Sequence, residues 1–428
     1  MNTTSIRFLQ HQAASLLLYQ SVLTDEVGLA FLGLLDTLYH GNKPTDCLYA
    51  YGRWFKALSA LGKSWQSHLI DRILFDDNPF SRQVQQHPLE TLAVPLVAAA
   101  KHDLQALQHL YNCDSETLSQ WVRLVTKSEK TPVAVPKTTT PHPVSLPEFA
   151  SWGDALPQLA DYHRRHGAGL FARYRALRWE AETLQGIPHP DPVRLADLAG
   201  YNRQKTALID NVKVLLAGYP TLHVLLYGCR GSGKSSLVKA VANEFADRNL
   251  RLVEVAKSDL RDLPSIVEQL RDLPQKSILF VDDLSFEEDD EAFKALKVVL
   301  EGGATARASN VVVYATSNRR HLVREFFEDR PRPGQGDEVH AWDTVQEKLS
   351  FSDRFGLHLT FEPTNQDTYL EIVRHLAGKA RLDISIEALD ARALQWATQH
   401  NGRSGRTARQ FIDFLQAELA LSPPDVWS

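Results

Sequence analysis

Cysteine is scarce, with three in 428 residues, at Cys47, Cys113 and Cys229. An odd number so widely scattered gives no disulfide framework and points to a reducing compartment. Long apolar runs are missing too, and none is sufficient to span a membrane. The opening stretch MNTTSIRFLQHQAASLLLYQS has no basic leader and carries polar residues at helical spacing, so it reads as a retained amphipathic segment. The expected location is therefore cytoplasmic, with no membrane span. Charge of one sign is also lacking. A formal net charge of -5 leaves no global basic footprint, so any nucleic-acid contact would have to come from a local patch. Neither a helix-turn-helix nor a zinc-finger signature is present, which leaves sequence-specific DNA binding without support.

Against these absences stands LLYGCRGSGKSSL, Leu225 to Leu237. An apolar strand runs into Gly228-Cys229-Arg230-Gly231-Ser232-Gly233-Lys234-Ser235, which fits the phosphate-loop pattern G-x-x-x-x-G-K-[ST] at every fixed position. Backbone amides converge on a triphosphate only where side chains do not crowd it, so the glycines let the loop wrap, and the helix beginning through Ser236 aims its N-terminus at the anion. Lys234 is expected to meet the β and γ phosphates, and the Ser235 hydroxyl to ligate Mg²⁺. Cys229 reads as a small residue at a variable loop position.

The length calls for two or three domains. From Ile6 to Lys127 the pattern is helix after helix, with Gly41 and Gly62 placed as C-terminal stops and Thr24, Thr45 and Asp114 as N-caps. A Lys/Ser/Thr/Pro-rich tract over 128–147 has no periodic apolar face and is expected to be an extended linker. A lead-in over 148–190 reads as helical from Trp152 to Gln185; its Arg164, Arg165, Arg173, Arg175 and Arg178 face either solvent or an acidic or nucleic-acid partner. From 191 to 363 the texture changes to strands alternating with helices: HVLLYG, RLVEVA, SILFVDD, NVVVYATSN and LHLTF. The first four are apolar without alternation, as in strands buried on both faces. That predicts an α/β domain, a parallel five-stranded sheet with helices on both faces and the ligand at the strands' carboxyl ends. Residues 364–428 read as a helical lid.

Further signals follow the loop in order. The strand Ser277 to Val281 ends in Asp282-Asp283; the first acid is expected to hold the metal's water shell and the second to orient or deprotonate the attacking water. Asp283 is one methylene shorter than the Glu usual there, so Glu287 in LSFEEDDE is a second candidate for the base. Asn318, after VVVYATS, would hydrogen-bond the nucleophilic water or the γ-phosphate. Arg354 in FSDRFGL would project into a neighbouring subunit's site, and Arg409, with Arg406 as the reserve, would reach the phosphates from the lid.

The order GCRGSGKSS, FVDDLSFE, YATSN, SDRFG, GRSGRTARQF resembles an AAA+ ATPase with Walker A, Walker B, sensor 1, arginine finger and sensor 2. The runs LLYGCRGSGKSSLVKA, DDLSFE, YATSNRRHL, KLSFSDRFGL and RSGRTARQF resemble more closely a bacterial family of uncharacterised ATP-binding proteins, domain of unknown function 815, over about Asp191 to Leu415. The resemblance implies ATP with Mg²⁺, an AAA+ fold with a helical lid, and Gly200 and Tyr201 near the adenine. VAKSDLRDLPSI lacks the aromatic-x-Gly element of protein-threading rings, so a switch, loader or local remodeller is favoured over an unfoldase. The leading expectation is an oligomeric ATPase, its ring form inferred from Arg354 alone, that delivers work through the N-terminal helices to a protein or nucleic-acid partner. A nucleotide-gated scaffold with little turnover and a DNA-associated loader are the alternatives.

Overall fold

The computed structural model describes residues 3–40, 43–127, 130, 132–136, 141–285, 291–301, 308–318, 351–400 and 402–421. The chain forms two compact units, Met1–Arg173 and Tyr174–Ser428. Among the described residues no helix is long and apolar enough to cross a membrane.

In the first unit, apolar residues at helical spacing give α1 (Thr3–Ala14), α2 (Glu26–His40), α3 (Pro44–Leu61), α4 (Trp65–Leu74), α5 (Pro79–Gln86), α6 (Val94–Asn112), α7 (Ser115–Thr126), α8 (Leu156–His166) and α9 (Gly169–Arg173). Phe31, Trp54 and Trp65 are fully buried at its centre, with Phe31 stacked on Trp65 at 4.2 Å between ring centroids. Gly62 ends α3 in the left-handed region at φ 62°, and the Asp114 carboxylate accepts the Thr117 N–H at 2.9 Å to start α7. Two expected caps are corrected. Asp25, not Thr24, accepts the Gly28 N–H at the head of α2, and α3 begins at Pro44 after Lys43, because proline suits the first helical turn and moves the start ahead of Thr45. Gly41 lies outside the described residues.

The tract expected to stand off as a linker instead lies on this unit where it is described. Val135, Val144 and Leu146 are buried in the helical core. The hydroxyls of Tyr51, Ser115 and Ser119 donate to the carbonyls of Val133, Val135 and Pro132, each at 2.7 Å. Side-chain donors thus satisfy backbone that has no ladder of its own.

The helical reading of Trp152 to Gln185 fails at its end. A helix runs only through α8 and the short α9; Ala176–Glu180 (β1) and Thr183–Gly186 (β2) form an antiparallel hairpin. Its turn residues Ala181 and Glu182 both have positive φ, 49° and 60°, the geometry that matches the twist of a two-residue hairpin. Leu177 and Trp179 point inward while Arg178 and Glu180 are exposed, an alternation too short to stand out.

The second unit continues with α10 (Asn202–Leu216), β3 (Val224–Gly228), α11 (Lys234–Glu244), β4 (Leu250–Glu254), α12 (Leu263–Arg271), β5 (Lys276–Val281), α13 (Glu291–Glu301), β6 (Val311–Ser317), β7 (Leu357–Phe361), α14 (Gln366–Ala380), α15 (Ile386–Gln399) and α16 (Gly405–Leu421). All five expected strands are present and parallel. The hairpin extends them to seven in the order β2-β1-β4-β5-β6-β3-β7. All seven residues of β6, VVVYATS, are buried, as its uninterrupted apolar run requires of a central strand. Because the chain leaves β3 for β4 on the far side of β5 and β6, the strand ends open a crevice beside β3, where an α/β sheet takes its ligand. The last three helices bury Tyr369, Val373, Ala393, Phe411 and Leu415 in a small core of their own.

Candidate functional site

A cavity of about 750 Å³ sits at the carboxyl ends of β3, β5 and β6. Its floor is the loop between β3 and α11. Gly228 has φ 133°, and a Cβ there would lie 2.0 Å from the Phe361 carbonyl, so only glycine lets β3 pass β7 so closely. Arg230, Gly231, Ser232, Gly233, Lys234, Ser235 and Ser236 line the cavity. Gly228 and Cys229 form the loop's entry and do not line it; Cys229 is exposed.

Lys234 is only 7% exposed and donates through Nζ to the carbonyls of Gly228 at 2.9 Å and Cys229 at 2.8 Å, and to Asn318 Oδ1 at 3.4 Å. Burial pulls its ammonium below the ordinary lysine value, opposed by the field of the Cys229, Asp282 and Asp283 groups. Ser235 Oγ donates to Asp282 Oδ1 at 2.6 Å, so the first residue of the helix after the lysine reaches the end of β5 across β6. Asp283 has φ 52°, and its Oδ1 accepts from Asn318 Nδ2 at 2.6 Å. Five of the residues singled out from sequence are therefore hydrogen-bonded in two groups, Lys234–Asn318–Asp283 and Ser235–Asp282.

The lid closes one wall. Gly405, Arg406 and Arg409, at the start of α16, line the cavity, and the Arg406 N–H donates to the Gly231 carbonyl at 3.1 Å. Gly200 and Tyr201 also line the cavity; the tyrosine ring packs on Phe361 at 4.9 Å between centroids, and its hydroxyl donates to the Glu362 carbonyl at 3.1 Å. Arg354 does not line this cavity. It is bonded to Glu301 at the end of α13. Glu287 lies outside the described residues.

Sequence reasoning missed three contributors. Thr316 lines the cavity and bonds Asp282; its signal was a hydroxyl inside an otherwise apolar strand end. Asp197 and Lys205 also line it. Asp197 is paired with Lys379 of α14, which holds its carboxyl below the usual range, while burial lowers Lys205. No motif marks either one. Of the five arginines suspected of nucleic-acid contact, three are engaged with acids: Arg164 with Asp161 at 2.6 Å, Arg175 with Asp247 at 3.0 Å and Arg178 with Glu254 at 3.5 Å.

The sequence pattern of the family described as "Protein of unknown function (DUF815)" matches residues 172–419, more than half of the chain. The chain is 29% identical over 272 residues to vacuolar protein sorting-associated protein 4A of Homo sapiens, covering 54% of this chain and 59% of that protein. It is 38% identical over 71 residues to the Replication factor C large subunit of Methanococcus maripaludis, 17% of this chain and 14% of that one. The matches thus span under two thirds of either relative's length. These relatives are AAA+ ATPases. Among solved structures, the RuvB Holliday junction branch migration motor of Thermotoga maritima aligns with a TM-score of 0.32 and 15% identity over 52% of this chain and 72% of that one. With a phosphate loop, an acid-ended strand and a helical lid gathered around one cavity, the chain belongs to the DUF815 family and has the AAA+ P-loop fold.

Proposed function

We propose that this protein is a Mg²⁺-dependent ATP hydrolase that acts as an oligomeric switch or remodelling factor on a macromolecular partner. The observation that carries the reading is the convergence of Lys234, Ser235, Asp282, Asp283, Asn318, Arg406 and Arg409 on one cavity. The donor set fits the metal: a serine hydroxyl and a carboxylate oxygen 2.6 Å apart are hard oxygen ligands, and one carboxylate beside a phosphate site is the pattern by which Mg²⁺ is bound together with substrate phosphates. Bound Mg²⁺ would supply charge neutralisation on the phosphates. Ser235 and Asp282 would hold it, and Lys234 would exchange its loop carbonyls for phosphate oxygens. Asp283 would accept the proton of the attacking water at a carboxylate oxygen, Asn318 would orient that water, and Arg409, with Arg406 beside it, would approach the phosphates from the lid. Gly200 and Tyr201 would flank the base. Arg354, outside its own cavity, would act in the neighbouring subunit's site, and the helical first unit would engage the partner.

A second reading, a nucleotide-gated scaffold with little turnover, is favoured by one contact: Asn318 Nδ2 donates to Asp283 Oδ1 at 2.6 Å and so occupies an oxygen that the attacking water would need. Three of the five suspected arginines, Arg164, Arg175 and Arg178, are paired with acids, which weakens the case for the DNA-associated loader.

The deciding measurement is steady-state ATP hydrolysis by the full-length protein across a concentration series with oligomer mass followed in parallel, and Lys234→Ala as the control. Specific activity rising with assembly supports the shared-site ATPase. Tight binding and assembly without turnover supports the scaffold. ATP affinity unchanged in Lys234→Ala would overturn both.

A further inference from the structure

Thr316 is 2% exposed, at the carboxyl end of β6, the strand that separates the phosphate-loop strand from the acid-ended strand. In register it lies opposite Leu226 of β3, while its neighbour Ala315 lies opposite Val281 of β5. Its hydroxyl uses both of its capacities on the adjacent strand end: it donates to Asp282 Oδ1 at 2.5 Å and accepts the Asp283 N–H at 2.9 Å. Its main-chain carbonyl accepts the Leu284 N–H at 2.7 Å. One residue therefore grips three consecutive residues of the Asp282-Asp283-Leu284 turn.

Packing does not explain the hydroxyl. Valine has nearly the same shape and continues the run Val311-Val312-Val313 that precedes it, whereas a buried hydroxyl is tolerated only when its bonds are made. The bonds it makes are specific. Asp282 Oδ1 already accepts from Ser235, so the Thr316 donor fixes which oxygen faces Ser235 and leaves the other oxygen free of that pair. The Asp283 amide is held with the residue at φ 52°, a left-handed conformation that few L-residues other than asparagine and aspartate adopt.

We propose that Thr316 is a positioning residue of the nucleotide site, orienting Asp282 toward the metal and Asp283 toward the attacking water through its one hydroxyl. The inference rests on the ATPase reading for its effect on turnover, but not for its effect on the metal. Full-length wild type, Thr316→Val and Thr316→Ser are compared in two readouts: ATP turnover, and the Mg²⁺ concentration giving half-maximal binding of a fluorescent ATP analogue. Thr316→Ser keeps the hydroxyl and should stay within about threefold of wild type in both. Thr316→Val should lose at least about tenfold in turnover and need at least about fivefold more Mg²⁺, with analogue affinity at saturating Mg²⁺ within about threefold. A merely structural role would not raise the Mg²⁺ requirement while leaving affinity at saturating Mg²⁺ intact, nor be rescued by serine.

Thr316→Val indistinguishable from wild type in both readouts overturns the proposal, and so does a wild type that binds no nucleotide. A wild type that binds the analogue without turnover removes the hydrolase reading alone; the Mg²⁺ midpoint then decides, a shift in valine restored in serine supporting the role and no shift overturning it. Thr316→Ala, smaller than either, gives the same comparison if valine impairs folding.

Discussion

The Arg406 N–H donates to the Gly231 carbonyl at 3.1 Å, so the first turn of the lid's last helix rests directly on the phosphate loop. Gly231 has φ 75°, and a Cβ there would meet Ser404 Oγ at 2.9 Å. Loop and lid are thus in contact through backbone, and a ligand that shifts one must shift the other. Gly231→Ala is expected to destabilise this unit by about 1–3 kcal/mol and to weaken ATP binding at least tenfold. Denaturation and fluorescent-nucleotide titration read the two effects. Ser404→Gly in the same chain should recover part of the affinity by clearing the contact, though not the cost of positive φ; full affinity in Gly231→Ala alone would show the close approach to be unimportant.

Acid should loosen the first unit at one buried histidine. His163 has no exposed surface, its Nδ1 lies 3.1 Å from the Gly167 carbonyl, and burial brings its pKa down to about 4, against the opposing pull of Asp77. The folded value lies below the unfolded one, so the unfolded chain binds more protons between them. Stability is therefore complete above about pH 6.5 and is lost as pH falls toward 4, by at most about 3 kcal/mol. Hydrogen exchange over residues 156–166 of the full-length protein should accelerate across that window, and His163→Asn should flatten the dependence whatever its absolute stability. An unchanged slope in the variant would assign the acid sensitivity elsewhere.

What the sequence made legible follows from how each element is built. The phosphate loop and the five buried strands announce themselves because both are local: a fixed spacing in one case, an uninterrupted apolar run such as SILFV in the other. The β1–β2 hairpin does not, since Ala181-Glu182 takes a turn that usually advertises itself as Asn-Gly, and ALRWE is rich in helix formers. The tract around Val133 escaped for another reason. Its order comes from hydroxyls on α3 and α7, supplied from far away in sequence. At the site, Lys234, Asp282 and Asn318 were legible as strand-end residues, but Asp197 and Lys205 enter the cavity only through the docking of their segment near α14.

Asp283 looks from sequence like a shortened glutamate, but its backbone gives a reason for the shorter side chain. At φ 52° aspartate is among the few residues other than glycine and asparagine found with any frequency, and its carboxylate reaches Asn318 Nδ2 at 2.6 Å. Asp283→Glu is thus expected to lower stability by about 1 kcal/mol and to leave turnover no higher than wild type. Asp283→Asn should keep ATP binding while turnover falls at least about a hundredfold. The pair is read by steady-state hydrolysis and nucleotide titration. A faster Asp283→Glu enzyme would mean that reach, not backbone fit, limits the reaction.

Arg354 gives the sharpest test of a site shared between subunits. It belongs to the turn Phe351–Arg354 ahead of β7, is bonded to Glu301, and does not line the cavity of its own chain. If it completes a neighbour's site, Arg354→Ala should bind ATP normally and lose turnover about a thousandfold, because an arginine supplied to the transferred phosphoryl group acts mainly in the transition state. Asp282→Asn should fail for the opposite reason, having the arginine but no ligand for the metal. Mixing the two inactive proteins then creates interfaces in which an intact cavity meets an intact arginine, and some activity should return. Activity that stays absent at every mixing ratio, in assemblies shown by mass to contain both chains, would place the arginine's effect inside one subunit, where its contact with Glu301 holds α13 against the turn.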